Sequence, residues 1–473
     1  GMGRGGGLLL GVAIVVYVAT RLMAVEGPIN FVEYERVFVP GSYDFGRLGY
    51  AGWSLIVRPL LMLFEGGYSL LFVTNAGFGL LGIVALASLT LRVSGRGEVA
   101  GVVAMILASQ PAFVRVGASA SETLPFASLS IIFIDLLLGW GELPRRMLVG
   151  AGLVLVPLLL VLRPEGVMLC MPALALLLLA DGGIRNQWRG WSIIQRGMAL
   201  WIGVLFVGAG ALYASLPRPP AAWGLLLSNL QLLLADLCSP LLLSPALMLG
   251  GLAAACWLLL FRSSRPLGGA VLLWSLLLVI VWGIQGSEGN LALGATRYAV
   301  VWLPWLALSL GLGIGRLRGR RWPVLATAVC LLASVPQLGL VWDRTNLQIE
   351  YDFFVEVLPQ VSPGSLLVLP TSGGDNQEYT PEAAPLAILA MLRQSARWMS
   401  VAEAAVASPT ESGTYLLLGY YGNGTALKKL PNCRQEALEE QLVSNRPDVG
   451  LYAEVPEGDE VLLGLYRLEC RPL

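Results

Sequence analysis

Eleven apolar runs fill the first 342 residues, at roughly 8–25, 68–91, 98–114, 122–140, 147–162, 166–180, 198–215, 239–261, 267–284, 297–315 and 322–342. A membrane span needs about 20 apolar residues. Inside hydrocarbon the backbone must satisfy its own hydrogen bonds, so each run is expected to be a helix. The turns between the runs alternate in charge. One set carries Arg4; Arg92 and Arg96; Arg145 and Arg146; Arg185, Arg189 and Arg196; Arg262 and Arg265; and Arg316, Arg318, Arg320 and Arg321. The other set carries Glu26, Glu33, Glu35, Asp44, Glu122, Glu288 and scattered arginines. By the positive-inside rule the first set is cytoplasmic. The expected topology puts the N-terminus inside and the residues after the last span outside, in a cell inner membrane. The run at 8–25 is longer than a signal-peptide core and reads as a retained first span.

Composition agrees. Hydrophobic residues make up 56% of the chain and charged ones 13%, about half the charged share of a soluble domain. Basic and acidic residues number 31 each, so no net basic field would attract nucleic acid. The chain contains no histidine. That removes imidazole from any mechanism, including serine triads and His-ligated metals. Acid–base work falls to carboxylates, tyrosine, cysteine or water.

The spans are not uniform. Residues 147–180 are too long for one helix, and Arg163-Pro164-Glu165-Gly166 interrupts them with a turn. Residues 51–66 and 222–236 read as amphipathic segments on the outer surface. From about residue 343 charges return and apolar runs shorten to strand length. Leu366–Leu369, Tyr415–Leu418 and Val461–Leu468 read as strands, and Pro385–Arg393 and Gln435–Val443 as helices. The expected architecture is a polytopic α-helical membrane domain, 1–342, with its first outer loop at about 26–67. A small extracytoplasmic α/β domain follows, 343–473, periplasmic or extracellular. Cys433 and Cys470 both fall in this outer domain, where disulfides are permitted; they are either a bonded pair or two free thiols.

The first outer loop sets Glu26, Glu33, Glu35 and Asp44 within 19 residues directly after the first span. A carboxylate partly shielded at a membrane surface can act as a general base; a solvated acidic loop that helps set topology fits the spacing as well. Arg163 and Glu165 are either a pair stapling a turn or a cation held near the outer boundary. Arg297-Tyr298 opens the tenth span on the outer side, against the positive-inside trend. The helix dipole there favours an anion, and a phosphate is a natural partner; the alternative is a snorkelling interfacial arginine. Glu122 lies in the first turn of the fourth span. Asp135 is the only acid deep in a segment, which counts against a transporter.

The order of these features resembles the C-type (GT-C) fold of integral-membrane glycosyltransferases, which use polyprenyl-phosphate-linked sugars. The features are a first span ending in Thr20-Arg21, the acidic loop, Gly49-Tyr50-Ala51-Gly52-Trp53, Ser121-Glu122-Thr123-Leu124-Pro125, Arg163-Pro164-Glu165-Gly166, and Arg297-Tyr298 followed by Pro304 and a glycine-rich span. The likeness covers residues 8–342 and includes the trailing outer domain. It implies that Glu33, with Glu35 next, is the catalytic base. It implies that Arg297, with Tyr298, Arg163, Glu122 and Asp44 around it, binds the lipid-phosphate donor. The adjacent acid pair usual in this loop is replaced by Glu33-Tyr34-Glu35. A divalent metal is optional in the superfamily, and the sequence shows no dedicated metal site.

The implied partners are a polyprenyl-phosphate-linked sugar, the lipid bilayer, and an acceptor glycan, lipid or protein. The implied activity is inverting sugar transfer to an acceptor hydroxyl on the extracytoplasmic side. The alternative is a catalytically silent scaffold or assembly subunit that joins a protein complex through residues 343–473.

Overall fold

The computed structural model describes residues 3–24, 26, 51–63, 67–179, 188–215, 223–228, 231, 245–284, 295–317, 324–325, 328–329, 332, 346–370, 388–389, 397–407, 409, 413–419, 430, 432–444 and 460–471. The chain divides into two compact units, one of Gly1–Val25, Asp44–Ile56 and Phe72–Asp343, the other of Glu26–Tyr43, Val57–Leu71 and Arg344–Leu473.

Ten of the eleven apolar runs form helices. They are α1 (Arg4–Met23), α3 (Gly67–Ser94), the pair α4 (Gly97–Ala108) and α5 (Pro111–Gly117), and α6 (Thr123–Leu138). Then come α7 (Arg145–Leu162), α8 (Cys170–Leu179), α9 (Ile193–Ser215), α10 (Pro245–Leu258), α11 (Arg265–Ile284) and α12 (Ala295–Gly315). The short helix α2 spans Ala51–Leu63. Most of the eleventh run, 322–342, lies outside the described residues, as does about half of the segment 222–236, where Trp223–Leu225 forms a 3-10 turn. Among the described residues, four helices are long and apolar enough to cross a membrane, five with the bent pair counted as one span.

That pair corrects one expectation. The run 98–114 is not a straight span: it bends by 68° at Ser109-Gln110. Pro111 opens α5 and supplies no N–H to the turn before it. Ser109 Oγ and Gln110 Nε2 each donate at 3.0 Å to the carbonyl of Ile106. The interruption at 163–166 forms as expected. A 3-10 turn at Pro164–Leu169 follows Arg163, whose backbone is extended.

Helix α12 is the centre of the first unit. Its side chains from Val300 to Leu308 are buried all round, as befits a helix with no polar face. Glycines permit the close packing. A Cβ on Gly311 or Gly315 would strike Val103 or Val99 of α4, and one on Gly251 of α10 would press on Leu306.

The arginine-rich turns collect at one end of this unit. The start of α1 packs at Gly6 against Gly97. Arg96 Nη1 donates to Gly315 O, Arg316 Nη2 to Ser264 Oγ at 2.9 Å, and Gln195 Nε2 to Trp140 O at 3.0 Å. Arg92 Nε meets Asp135 Oδ1 at 2.7 Å, and Ser88 Oγ meets Asp135 Oδ2 at 2.8 Å. Chain direction then puts the end of α1, the turn 118–123, the turn 163–166 and the start of α12 at the opposite end.

The second unit holds a five-stranded sheet of order β2-β1-β3-β5-β4. Its strands are β1 (Leu366–Leu369), β2 (Arg397–Ser400), β3 (Thr414–Leu418), β4 (Cys433–Ser444) and β5 (Glu460–Cys470). β1 runs parallel to β2 and β3, while β5 runs antiparallel to β3 and β4. The central strands β1 and β3 are buried throughout and read as continuous apolar runs. Helix α13 (Asn346–Val357) packs on β5, and α14 (Val401–Ala407) packs on β1 and β2.

Two of the readings for this domain need comment. Gln435–Val443 is not a helix but most of β4, paired along its length with β5. Most of Pro385–Arg393 lies outside the described residues. Cys433 and Cys470 face each other across β4 and β5 and are disulfide-bonded.

Candidate active site

The turn between α5 and α6 lies at the end opposite the arginine-rich turns and is shaped by side chains from elsewhere. The carbonyls that end a helix have no partner within it. For α5 they are taken by Arg21, at the end of α1, and by Asn75 of α3. Arg21 Nε donates to Gly117 O at 2.8 Å. Asn75 Nδ2 donates to Val116 O at 2.8 Å and Ser119 O at 2.9 Å. Both residues are buried. The turn then folds on its own hydroxyls. Ser119 Oγ donates to Val116 O, Ser121 N donates to Ser119 Oγ, and Ser121 Oγ donates to Thr123 Oγ1 at 2.9 Å.

This turn delivers Glu122 and Thr123 to Arg163. Arg163 Nε and Nη2 reach the two carboxylate oxygens of Glu165 at 3.1 and 2.7 Å, a fork-to-fork pair. Its Nη1 donates to Thr123 Oγ1 at 2.6 Å and lies 3.6 Å from Glu122 Oε1. The three charged residues are 1–3% exposed. Two carboxylates thus share one guanidinium in a site cut off from solvent, where charge interactions far exceed those in water.

Of the residues singled out by sequence, Glu122, Arg163 and Glu165 are brought together. Arg297 and Tyr298 sit in the first turn of α12 at the same end of the unit, described in backbone only. Glu33, Glu35 and Asp44 lie outside the described residues. Sequence reading missed Asn75 and Thr123. Asn75 is a lone amide in an otherwise apolar span, and that polarity was the available signal. It also missed the Arg92–Asp135 pair, 43 positions apart.

Among the described residues no three Asp, Glu or Cys side chains gather as metal ligands. Among the described residues, Glu122 and Glu165 both face Arg163. The described part of the site therefore does not by itself fit a divalent metal, and no step is routed through one.

No protein-family model matches the sequence, and no curated protein matches it. Solved structures do match by fold. ArnT from Cupriavidus metallidurans aligns over 97% of both chains at 13% identity, with a TM-score of 0.53 in the apo state and 0.52 bound to undecaprenyl phosphate. The oligosaccharyltransferase AglB from Archaeoglobus fulgidus, in complex with an inhibitory peptide and a dolichol-phosphate, aligns over 81% of this chain at 14% identity, with a TM-score of 0.51. The chain spans 64% of the length of that archaeal protein. The chain shares the fold of both structures, a GT-C fold.

Proposed function

We propose that this chain is a membrane glycosyltransferase that moves a sugar from a polyprenyl-phosphate donor to an acceptor hydroxyl on the extracytoplasmic side. One observation carries the reading. The structure it resembles over 97% of both lengths is a GT-C protein with undecaprenyl phosphate bound. The arginine-poor end supports it, with buried charge at Glu122, Arg163 and Glu165 and the N-terminus of α12 beside Arg297.

In this reading Glu33, or Glu35 two residues on, accepts the proton of the acceptor hydroxyl. The freed oxygen attacks the anomeric carbon from the face opposite the phosphate. The bond from that carbon to the phosphate oxygen breaks, and the configuration inverts. Arg297 neutralises the departing phosphate, helped by the N-terminal dipole of α12. Tyr298 and Asp44 line the donor site. Arg163 acts through Glu122, because its guanidinium is already committed to Glu165 and Thr123. Glu33 and Arg297 then face one cavity within about 12 Å, the scale of a sugar phosphate held for in-line attack.

The test is Glu33→Gln in the purified full chain in nanodiscs, assayed for sugar transfer from polyprenyl-phosphate sugars. Transfer by wild type and its loss in the variant, with folding intact, supports the reading. Undiminished transfer by both Glu33→Gln and Glu35→Gln overturns the assignment of the base.

A scaffold subunit is the second reading. The observation favouring it is that Glu33-Tyr34-Glu35 replaces an adjacent acid pair. Stable co-purification of a membrane partner through residues 343–473, with no transfer under any donor, would select it.

A further inference from the structure

The turn that carries Glu122 is a short irregular connection. Seven residues of helix, Pro111–Gly117, precede it. Its backbone from Ala118 to Glu122 belongs to no regular element. A connected series of hydrogen bonds crosses it. Asn75 Nδ2 holds Val116 O and Ser119 O. Ser119 Oγ accepts from Ser121 N, Ser121 Oγ donates to Thr123 Oγ1, and Thr123 Oγ1 accepts from Arg163 Nη1. Asn75 is 0% exposed, so no water competes for its amide. It is also 41 and 44 positions from the carbonyls it holds. It therefore ties the turn to a different span rather than to its own helix.

We propose that Asn75 is a positioning residue for Glu122: its amide fixes the α5–α6 turn, and Ser119, Ser121 and Thr123 pass that constraint to the Arg163–Glu122 contact. The proposal rests on the glycosyltransferase reading for its catalytic consequence but not for its geometry. Asn75 touches no substrate in this scheme. Its amide is required as a donor, because both groups it holds are carbonyl oxygens. An isosteric carboxylate at this position would face those oxygens with no hydrogen to give.

The test reads Glu122 directly. The full chain in nanodiscs is treated with dicyclohexylcarbodiimide, which adds to carboxyl groups in apolar surroundings, and the modified peptides are counted by mass spectrometry. Asp135, held by Arg92 and Ser88 at the other end of the unit, is the internal control. Asn75→Ala and Asn75→Asp should each speed labelling of Glu122 about tenfold, the factor expected for losing one or two net hydrogen bonds. Labelling of Asp135 should stay as in wild type.

Thr123→Val breaks the same series beyond Ser121 and should act alike. Combined with Asn75→Ala it should give less than the product of the two single effects, since both cut one connected network. Equal acceleration at Glu122 and Asp135 would mean general loosening and would overturn the proposal. So would unchanged Glu122 labelling in all three variants.

Transfer assays separate this from the parent reading. Asn75→Ala should lower kcat while leaving undecaprenyl-phosphate affinity within about twofold of wild type. If Glu122 labelling rises but Glu122→Gln transfers sugar at the wild-type rate, positioning stands and the role of Glu122 in transfer falls.

Discussion

Arg163→Met would remove the cation that joins Glu122 and Glu165 among the described residues while keeping most of its stem packing. Three hydrogen bonds are lost, at 3.1, 2.7 and 2.6 Å, and with them the 3.6 Å contact to Glu122. Burial decides the size of the effect. Exposed ion pairs contribute about 0–1 kcal/mol. Here Arg163 is 1% exposed, Glu122 1% and Glu165 3%. Stranding two carboxylates in such a place should destabilise the fold by about 3–5 kcal/mol.

The double variant Arg163→Met/Glu165→Leu should recover part of that loss, because replacing both partners with apolar groups removes one stranded charge. The assay is equilibrium unfolding of the full chain in mild detergent, followed by tryptophan fluorescence. A loss below about 1 kcal/mol for Arg163→Met would mean a solvated guanidinium and would refute the buried cluster.

The Cys433–Cys470 bond closes a separation of 37 residues, and Cys433→Ser should cost about 3–4 kcal/mol in the chain-entropy model; maleimide labelling of both thiols without prior reduction would contradict the bond. In the sheet domain, Ser400 and Glu403 form a reciprocal capping box at the start of α14, with Ser400 N and Oγ on Glu403 Oε2 at 2.7 and 2.9 Å and Glu403 N on Ser400 Oγ at 3.1 Å. These bonds hold the Glu403 carboxyl below its ordinary value of 4.5, so its contribution is present above that pH and is lost as pH falls through the lowered value. Glu403→Gln should flatten the acid side of the domain's stability profile, and an unchanged profile would count against the box. Finally, Ser263→Cys, at an exposed position, and Arg318→Cys should react with impermeant reagents only from the cytoplasmic face and Thr410→Cys only from the outer one; the reverse pattern would invert the topology.

Much of the membrane part was legible because two strong patterns coincide: apolar runs of span length, and arginines concentrated in alternate turns. The turns so marked do meet at one end, through Arg96 on Gly315 and Arg316 on Ser264. The bend in the third span was overlooked although Ser109-Gln110-Pro111 carried it. A hydropathy window averages over two polar residues, while the backbone at proline does not. The misreading of β4 has a different cause. Arg434-Gln435-Glu436-Ala437-Leu438-Glu439-Glu440-Gln441-Leu442 is rich in good helix formers. Yet eleven residue pairs with β5 and the disulfide at its start hold it extended, and tertiary pairing outweighs a preference worth tenths of a kcal/mol per residue. In the candidate site, Arg163 and Glu165 were visible as neighbours in sequence. Their link to Glu122 and Thr123 was not, because it spans about 40 positions and depends on how α5 ends.

The central claim is that the arginine-poor end of this fold receives a polyprenyl phosphate. The most direct measurement is binding of undecaprenyl phosphate to the full chain in nanodiscs, by native mass spectrometry, for wild type and Arg297→Gln. The account predicts saturable binding at one site. It predicts that removing the guanidinium weakens this binding about 10- to 100-fold, the range for a hydrogen bond to a charged group. No saturable binding by wild type, or equal binding by the two proteins, would contradict it.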